Sequence, residues 1–156
     1  MILKAMTFSY NWYKRFKKIC RSFYYFRKLD VFVHGKIHVG KRKNITIGEK
    51  CSVNRGVVLQ GFNDIKIGKQ VVISVNCLIL DGNLDHEGMI KTGKRDHIPS
   101  YVHIGDYAWI GAGAIILPGV SIGDRSIIAA GSVVRHSFPE DVLVAGNPAK
   151  VIKRLR

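Results

Sequence analysis

A polar segment in the middle of the chain concentrates the residues that could move protons. It covers residues 85–103 and holds three histidines and three acidic residues, namely Asp85, His86, Glu87, Asp96, His97 and His103. Histidine is the side chain whose ordinary pKa lies nearest to neutral pH, so it can take a proton from a hydroxyl group. The segment predicts general acid–base chemistry. A carboxylate would orient the imidazole of the catalytic histidine, and the sequence leaves three candidates for it, Asp81, Asp85 and Glu87.

The three cysteines indicate packing rather than chemistry. An odd number argues against a disulfide framework. No serine or cysteine stands in an arrangement typical of a covalent nucleophile. Cys51 and Cys77 instead fall at small-residue positions of a repeat, which suits buried free thiols in a reducing cytoplasm.

The elements that must position the polar segment follow a repeat of six. From residue 104 onward every sixth residue is aliphatic: Ile104, Ile110, Ile116, Ile122, Ile128 and Val134. A period of six fits neither an amphipathic helix nor an alternating strand, but it fits a chain that turns a corner every six residues. The same column includes Ile47, Val53, Leu59, Ile67, Ile73 and Ile79, and Val33, Val39 and Ile45 indicate an earlier, less regular coil.

The spacing of the coils shows where the repeat is interrupted. Coils that start at Ile47, Ile67, Ile104 and Ile122 are separated by 20, 37 and 18 residues. Three hexads make a regular coil of 18, so one coil carries two extra residues and another carries nineteen. The larger surplus is the polar segment. Because loops on a rigid scaffold usually carry function, the interruption is the predicted site.

A second column predicts the shape of the coil. The fourth residue after each aliphatic one tends to be small, as in Cys51, Val57, Val71, Cys77, Ala108, Ala114, Val120, Ser126 and Ser132. Only small side chains fit where the backbone bends toward a narrow interior. We therefore predict an all-β fold over residues 31–141, a parallel β-helix of about five triangular coils stacked about 4.8 Å apart.

Basic residues are concentrated at the two ends of this coil. The net charge is +14, and residues 1–30 contribute eight Lys or Arg against Asp30 alone. Residues 150–156 add four more. A nucleic-acid binder would more often spread its charge along one face, so we expect no nucleic acid. The length suits one domain, and no apolar run matches a membrane span or a signal peptide.

Residues 1–30 predict a basic, aromatic helix. One face is aromatic or aliphatic, with spacings of 4, 3, 4 and 3 between Trp12, Phe16, Ile19, Phe23 and Phe26. One interpretation is a cap on the open end of the β-helix. The other is a helix lying on an anionic membrane surface. The two are compatible, and the choice between them stays open. We expect a cytoplasmic protein, which under the second interpretation is peripheral at the inner membrane face.

The last residues, 142–156, predict a strand followed by a short helix. Asn147 is typical of a helix cap and Pro148 of a first helical position. The segment GNPAKVIKRLR would therefore form a turn that leads into a short helix.

The chain resembles the hexapeptide-repeat acyltransferases, and among them the O-acetyltransferases of maltose, galactosides and polysaccharide biosynthesis. The likeness runs from Val33 to the end, about 120 residues. It is most specific in Ile104–Arg156, where IGDYAWIGAGAIILPGVSIGDRSIIAAGSVV precedes VAGNPAKVIKRL. The resemblance implies a left-handed β-helix, an exception to the right-handed crossover rule. It also implies direct acetyl transfer from acetyl-CoA to a hydroxyl of a sugar or glycan precursor.

The resemblance implies that His86 is the catalytic general base. The family's histidine follows the last hexad before an extended loop, and the matching stretch here is DGNLDH at residues 81–86. Many relatives carry that histidine at the position of Leu84 or Asp85, so His97 is the alternative base. The acceptor-side residues implied in this way are Asn54, Asp81, Asn83 and Asp85.

By resemblance, acetyl-CoA lies along the later coils in a groove between neighbouring subunits of a homotrimer. Backbone N–H groups would stabilise the oxyanion. The implied cofactor contacts are Trp109, Gly111, Ala112, Ala130, Gly131, Arg135, His136, Lys150 and Lys153. Trp109 would lie beside the reacting end, and the two lysines near the adenosine phosphates. Relatives often carry Thr-Lys where this chain has Arg135 and His136.

Two other functions compete with acetyl transfer. A non-catalytic β-helix scaffold would have no affinity for CoA. A zinc hydratase like the γ-class carbonic anhydrases would hold zinc with three histidines, two of them closely spaced. The histidines here do not reproduce that spacing, so we expect no metal.

Overall fold

The aliphatic column forms the interior of a parallel solenoid. In the computed structural model, which describes residues 16–17, 20–28 and 30–156, Ile110, Ile116, Ile128 and Val134 have no exposed surface. The small-residue column is buried with them, because it lies where the backbone turns toward the narrow interior. The predicted left-handed parallel β-helix is confirmed.

Three flat faces enclose this interior. The first face contains β1 (Phe32–His34), β4 (Ser52–Asn54), β7 (Val72–Ile73), β12 (Trp109–Ile110), β15 (Ile127–Ile128), β17 (Val142–Gly146) and β18 (Ala149–Arg154). The second contains β2 (His38–Val39), β5 (Val58–Leu59), β8 (Leu78–Ile79), β13 (Ile115–Ile116) and β16 (Val133–Val134). The third contains β3 (Ile45–Ile47), β6 (Asp64–Ile67), β11 (Tyr101–Ile104) and β14 (Val120–Ile122).

Backbone hydrogen bonds between successive coils hold the stack together. Ile110 on β12 lies between Ile73 and Ile128, so aliphatic residues stack in register through the solenoid. Gly111 N donates to Ile128 O at 2.7 Å, one of many such bonds between coils. Four coils have a strand on all three faces. A fifth contains β15, β16 and an isolated bridge from Phe138 to Ile122, and β17 begins a sixth, which agrees with the prediction of about five coils.

The polar segment leaves the solenoid as a hairpin with a helix at its tip. Strands β9 (Gly82–Leu84) and β10 (His97–Pro99) pair antiparallel, and an α-helix, His86–Thr92, lies between them. Strand β10 leads almost directly into β11 on the third face, which restores the register. The excursion therefore begins three residues before the predicted loop, 85–103, and ends before it, because residues 101–103 already belong to β11.

The predicted C-terminal helix is wrong. Residues Ala149–Arg154 form β18, which pairs antiparallel with β17 in a hairpin whose turn contains Asn147 and Pro148. The open edge of β17 offers backbone donors and acceptors, and pairing satisfies them. Val151 and Ile152 are β-branched and favour a strand. The exposed edge outweighs the local capping signal.

The N-terminal residues pack on the first coil. Residues 20–26 are helical, and Tyr25 and Phe26 contact the core. Lys28 Nζ donates to Ile47 O at 2.6 Å. Two members of the predicted apolar face, Phe16 and Phe23, are 51% and 55% exposed. The other two, Trp12 and Ile19, lie outside the described residues.

A short 3₁₀ helix, Arg42–Asn44, interrupts the corner between the second and third faces of the first coil. Among the residues that the structure describes, no helix is long and apolar enough to cross a membrane.

Candidate functional site

The sequence of the loop helix explains why it forms at the hairpin tip. Asp85 is the N-cap, and its carboxylate accepts a hydrogen bond from Gly88 N at 2.8 Å. Gly93 ends the helix in the left-handed conformation, with φ of 71°. Asp85 N also donates to Asp96 O at 2.9 Å, which closes the hairpin stem. Residue 86 is thereby fixed as the first helical position.

His86 is exposed at this position. Within residues 30–156, no hydrogen bond or ion pair engages its imidazole. The neighbouring carboxylates have other partners, since Asp85 caps the helix and Glu87 lies 4.0 Å from Lys91 Nζ. An orienting partner for His86 is therefore not supplied by these two residues.

Asp81 binds the backbone at a corner of the preceding coil. Its carboxylate is fully buried and accepts hydrogen bonds from Phe62 N at 2.9 Å and Asn63 N at 2.6 Å. Its own N–H donates to Gln60 Oε1. Both oxygens are thus occupied in holding the corner between β5 and β6.

The remaining acceptor-side residues lie apart from one another. Asn54 ends β4 on the first face, and its Nδ2 donates to Ile73 O at 3.0 Å in the next coil. Asn83 is exposed on β9, opposite Ile98. His97 lies on β10 opposite Leu84, and its ring meets the edge of the Phe62 ring with centroids 4.7 Å apart. The alternative base therefore lies at the same end of the hairpin as His86.

The structure reveals an imidazole–carboxylate pair that the sequence reasoning missed. His103 Nε2 lies 3.1 Å from Asp64 Oδ2, and Lys66 Nζ lies 3.0 Å from the same oxygen. The hydrogen bond to His103, followed by that to Lys66, lowers the pKa of Asp64. Tyr101 packs against the His103 ring. Counting coil register could have found the pair, because residues 64 and 66 lie opposite 101 and 103.

The predicted cofactor residues on the later coils form one continuous strip. Trp109 is 50% exposed, and its Nε1 donates to Ser74 Oγ at 3.1 Å. Gly111 N donates to Ile128 O at 2.7 Å, and Gly131 N donates to Ala112 O at 2.8 Å. The amides of both glycines are therefore engaged in hydrogen bonds between successive coils. In the described part of the chain, the amides of Ala112 and Ala130 donate to no protein acceptor. These two donors sit at equivalent positions of successive coils and suit the amide and carbonyl groups of an extended ligand.

The predicted cations are divided between two faces. Lys150 and Lys153 are exposed on β18, opposite Ala145 and Leu143. Arg135 and His136 follow β16 on the second face, where Arg135 Nε donates to His136 Nε2 at 3.2 Å. The C-terminal strand, rather than a helix, therefore sets the direction of the two lysines.

No metal centre emerges from the geometry. Across the described ranges, no group of three or more His, Cys, Asp or Glu residues could hold a metal ion.

Comparisons with known proteins agree with this geometry. Residues 101–136 match the family described as bacterial transferase hexapeptide (six repeats). The chain is 33% identical over 127 residues to the galactoside O-acetyltransferase of Escherichia coli, covering 81% of this chain and 62% of that protein. The chain spans 57% and 62% of the first two curated relatives it matches.

Two solved structures share the fold over most of the chain. A maltose O-acetyltransferase from Clostridium difficile superposes with a TM-score of 0.74 at 32% identity, covering 80% of this chain and 67% of that one. A hexapeptide-repeat acetyltransferase from Vibrio cholerae gives 0.77 at 30% identity, covering 86% and 77%. The Vibrio protein has also been solved with acetyl-CoA bound.

Proposed function

The chain belongs to the hexapeptide-repeat acetyltransferase family, and from this premise we propose that it transfers an acetyl group from acetyl-CoA directly to a hydroxyl of a sugar or glycan precursor. The observation that carries the proposal is the pair of unengaged amides at Ala112 and Ala130, one coil apart on the strip beside Trp109. A ligand with spaced amide and carbonyl groups, such as pantetheine, fits it.

In this proposal His86 is the general base. Its imidazole takes the proton of the acceptor hydroxyl while the hydroxyl oxygen attacks the thioester carbonyl carbon. The carbon–sulfur bond then breaks, and the proton leaves with the CoA thiol. Backbone N–H groups stabilise the oxyanion that forms in between. A capped helix holds the imidazole at the surface, where a second molecule can reach it.

We further propose that the protein is a homotrimer with each site between two subunits. The exposed His86 ring, with its nearest carboxylates engaged elsewhere, suits a site completed by a neighbouring chain. The trimer would have about three times the 17.5 kDa mass of one chain. Light scattering during gel filtration measures this directly. A monomer that retains full activity would contradict the shared site.

Acetyl transfer is tested by the release of CoA thiol from acetyl-CoA across neutral and charged sugars. His86→Ala should lower kcat by about 10²–10⁴-fold, the usual contribution of a general base. CoA binding should persist, because the predicted cofactor strip lies on other coils. The matched control is His38→Ala, which removes an exposed histidine from β2.

Two outcomes would redirect the proposal. Full activity of His86→Ala with loss of activity in His97→Ala would move the base to His97. Absence of both thiol release and CoA affinity in the wild-type chain would favour the scaffold function. The two outcomes are separated by calorimetric titration of CoA.

We also propose a cytoplasmic protein that contacts an anionic membrane surface through its N-terminal residues and serves polysaccharide biosynthesis. Phe23 and Tyr24 are 55% and 74% exposed, beside the exposed cations Arg21 and Arg27. Aromatic and basic side chains together favour the membrane interface. Sedimentation with anionic vesicles should capture the protein, and replacing both arginines with glutamate should release it. Equal binding to zwitterionic vesicles would contradict the electrostatic part.

A further inference from the structure

A pocket of about 370 Å³ lies where the loop hairpin meets the first two coils. Its lining consists of Lys41, Phe62, Asn63 and His97. The volume falls within the range of about 300–1,000 Å³ that is common for small-molecule sites. Each of the first two coils and the hairpin contributes to the lining, so the pocket exists only where the regular repeat is broken.

Buried polar groups hold the walls of this pocket in place. The Asp81 carboxylate fixes the backbone of Phe62 and Asn63 from inside the solenoid. From the preceding coil, Asn44 Nδ2 donates to Gly61 O at 3.0 Å and to Phe62 O at 2.8 Å. The corner is thus anchored from both neighbouring coils. Such anchoring is what a binding site requires and a solvent-exposed bend does not.

The side chains of the pocket offer a flat ring, a cation and a free acceptor. Lys41 Nζ lies 5.5 Å from the centroid of the Phe62 ring, and His97 contacts the edge of the same ring. Asn63 Nδ2 donates to Asp81 O at 2.9 Å. Its amide oxygen has no donor among the hydrogen bonds of residues 30–156, so it can accept one from a ligand hydroxyl.

The charge around this pocket is positive. Lys41 lines the pocket, and the cations Arg42 and Lys43 follow it in the chain. Asp81 is buried under two backbone amides, and Asp64 is bonded to His103 and Lys66. Asp96, which precedes His97, is exposed and follows the cation Arg95. A lysine ammonium acts as a point charge that suits phosphate and carboxylate groups.

We propose that this pocket is the acceptor subsite and that it selects a sugar carrying negative charge, as a phosphate or a carboxylate. The inference rests on the proposed acetyl transfer and adds the class of acceptor to it. Lys41 would bind the anionic group, Phe62 would lie against the sugar ring, and Asn63 would accept from a ring hydroxyl. His97 pairs with Leu84, two residues before His86, so the pocket wall and the proposed base belong to the same hairpin.

The test compares kcat/KM for four acceptors that share one sugar: methyl glucoside, glucose 1-phosphate, UDP-glucose and glucuronic acid. At least one charged acceptor should exceed the neutral one by about tenfold or more, as expected for a charge-assisted hydrogen bond. The best of the three charged compounds identifies the source of the charge. Equal use of methyl glucoside would overturn the proposal.

Two matched variants locate the selectivity. Lys41→Gln should raise KM for the charged acceptors about tenfold more than it raises KM for methyl glucoside. Lys43→Gln removes a neighbouring exposed cation that does not line the pocket, so it should preserve the preference. Equal effects of the two substitutions would show that general surface charge, rather than this pocket, attracts the acceptor.

A binding measurement separates this inference from the proposed activity. Glucose 1-phosphate is titrated into the full chain with saturating CoA, which occupies the cofactor's own phosphate contacts. Binding that Lys41→Gln weakens and Lys43→Gln preserves supports the subsite, even where no thiol is released. Lack of binding to wild-type protein that does acetylate sugars overturns the subsite and leaves the acetyl transfer standing.

Discussion

The backbone polar groups of the later coils and those of the corner beside the loop hairpin find different hydrogen-bond partners. In residues 104–134 the coils repeat every 18 residues, and backbone groups largely satisfy one another across the stack. At the corner of residues 60–63 the coil is longer, and its backbone N–H groups donate to the Asp81 carboxylate while its carbonyl oxygens accept from Asn44 Nδ2. Regular repetition builds a strip along which backbone amides repeat. Surplus residues build a pocket with side chains of its own.

This difference suggests a division of labour within the proposed enzyme. The regular strip presents equivalent amides at Ala112 and Ala130, which suit the proposed acyl donor. The irregular corner presents Lys41 and Phe62, which suit an acceptor particular to this chain. Variation in acceptor can therefore arise at the corner without disturbing the coils that hold the acyl donor.

The largest effect is expected from a substitution that disrupts the regular stacking of the coils. A Cβ added at Gly123 would lie 2.3 Å from Glu140 N and 2.5 Å from Pro139 C, both backbone atoms of the next coil. Gly123→Ala should therefore cost about 3–5 kcal/mol of unfolding free energy, as for other severe core disruptions. The matched control is Gly93→Ala at the end of the loop helix, where φ is 71° and no atom lies within 4 Å.

Urea unfolding followed by circular dichroism measures both glycine variants. Gly93→Ala should cost only about 1 kcal/mol, the strain of a left-handed residue with a Cβ. Similar losses for the two would mean that close contact between coils does not limit stability.

The next largest effect is expected from a substitution that disrupts the corner of residues 60–63. Asp81→Asn replaces an oxygen that accepts an N–H with an amide group that can only donate there, and we expect a loss of about 2–3 kcal/mol. The exposed Asp96→Asn, in the loop, should lie within about 0.5 kcal/mol of wild type. Asp81→Asn should also raise KM for the acceptor more than for acetyl-CoA. Steady-state kinetics at saturating co-substrate separates the two constants.

A smaller effect concerns the C-terminal hairpin under acid. Arg125 Nε and a terminal guanidinium nitrogen bond the Asp141 carboxylate at 2.8 and 2.7 Å, and these hydrogen bonds hold the pKa of Asp141 below its ordinary value of 3.8. A lowered folded-state pKa gives stability that is present above about pH 3.8 and lost as the pH falls below it.

The melting temperature of the wild type should therefore fall more steeply between pH 4 and pH 2 than that of Asp141→Asn. Arg125→Gln should flatten the same curve, because it removes the cation that lowers the pKa. Parallel curves for all three proteins would show that the ion pair does not contribute.

The smallest expected effect concerns the reactivity of the three thiols, which shows how tightly the early coils are packed. Cys51 and Cys77 are buried, and desolvation raises the pKa of both thiols. Cys20 is exposed beside the first coil. A disulfide reagent at pH 8 should modify one thiol per native chain and three after denaturation. Rapid reaction of a second thiol in the native protein would mean that the early coils open.

Several features of the site could be predicted from the sequence and others could not. The loop and its histidines follow from counting, because a break in a strict repeat is visible in the chain itself. The engagement of Asp81 with the Phe62 amide is not visible in this way. It depends on which donors a corner of the previous coil leaves unpaired. The pairing of His103 with Asp64, by contrast, could have been found by carrying the coil register across the hairpin from Ile67 to Ile104.

The C-terminal residues show how local signals fail. Asn147 and Pro148 carry the pattern of a helix start, but the open edge of β17 recruits the following residues as a strand. A local pattern measures only the preference of a few residues. A sheet edge adds several hydrogen bonds at once, so it decides between two conformations of similar local preference.

The sequence alone determined the coil, its three faces and the place where the coil is interrupted, because an inward position recurs every six residues whatever surrounds it. The tertiary structure decided which carboxylate meets which partner, which amides remain free, and that the chain ends in a strand. Those outcomes depend on residues that are 16 to 39 positions apart in the chain and adjacent in space. No local spacing encodes such neighbours.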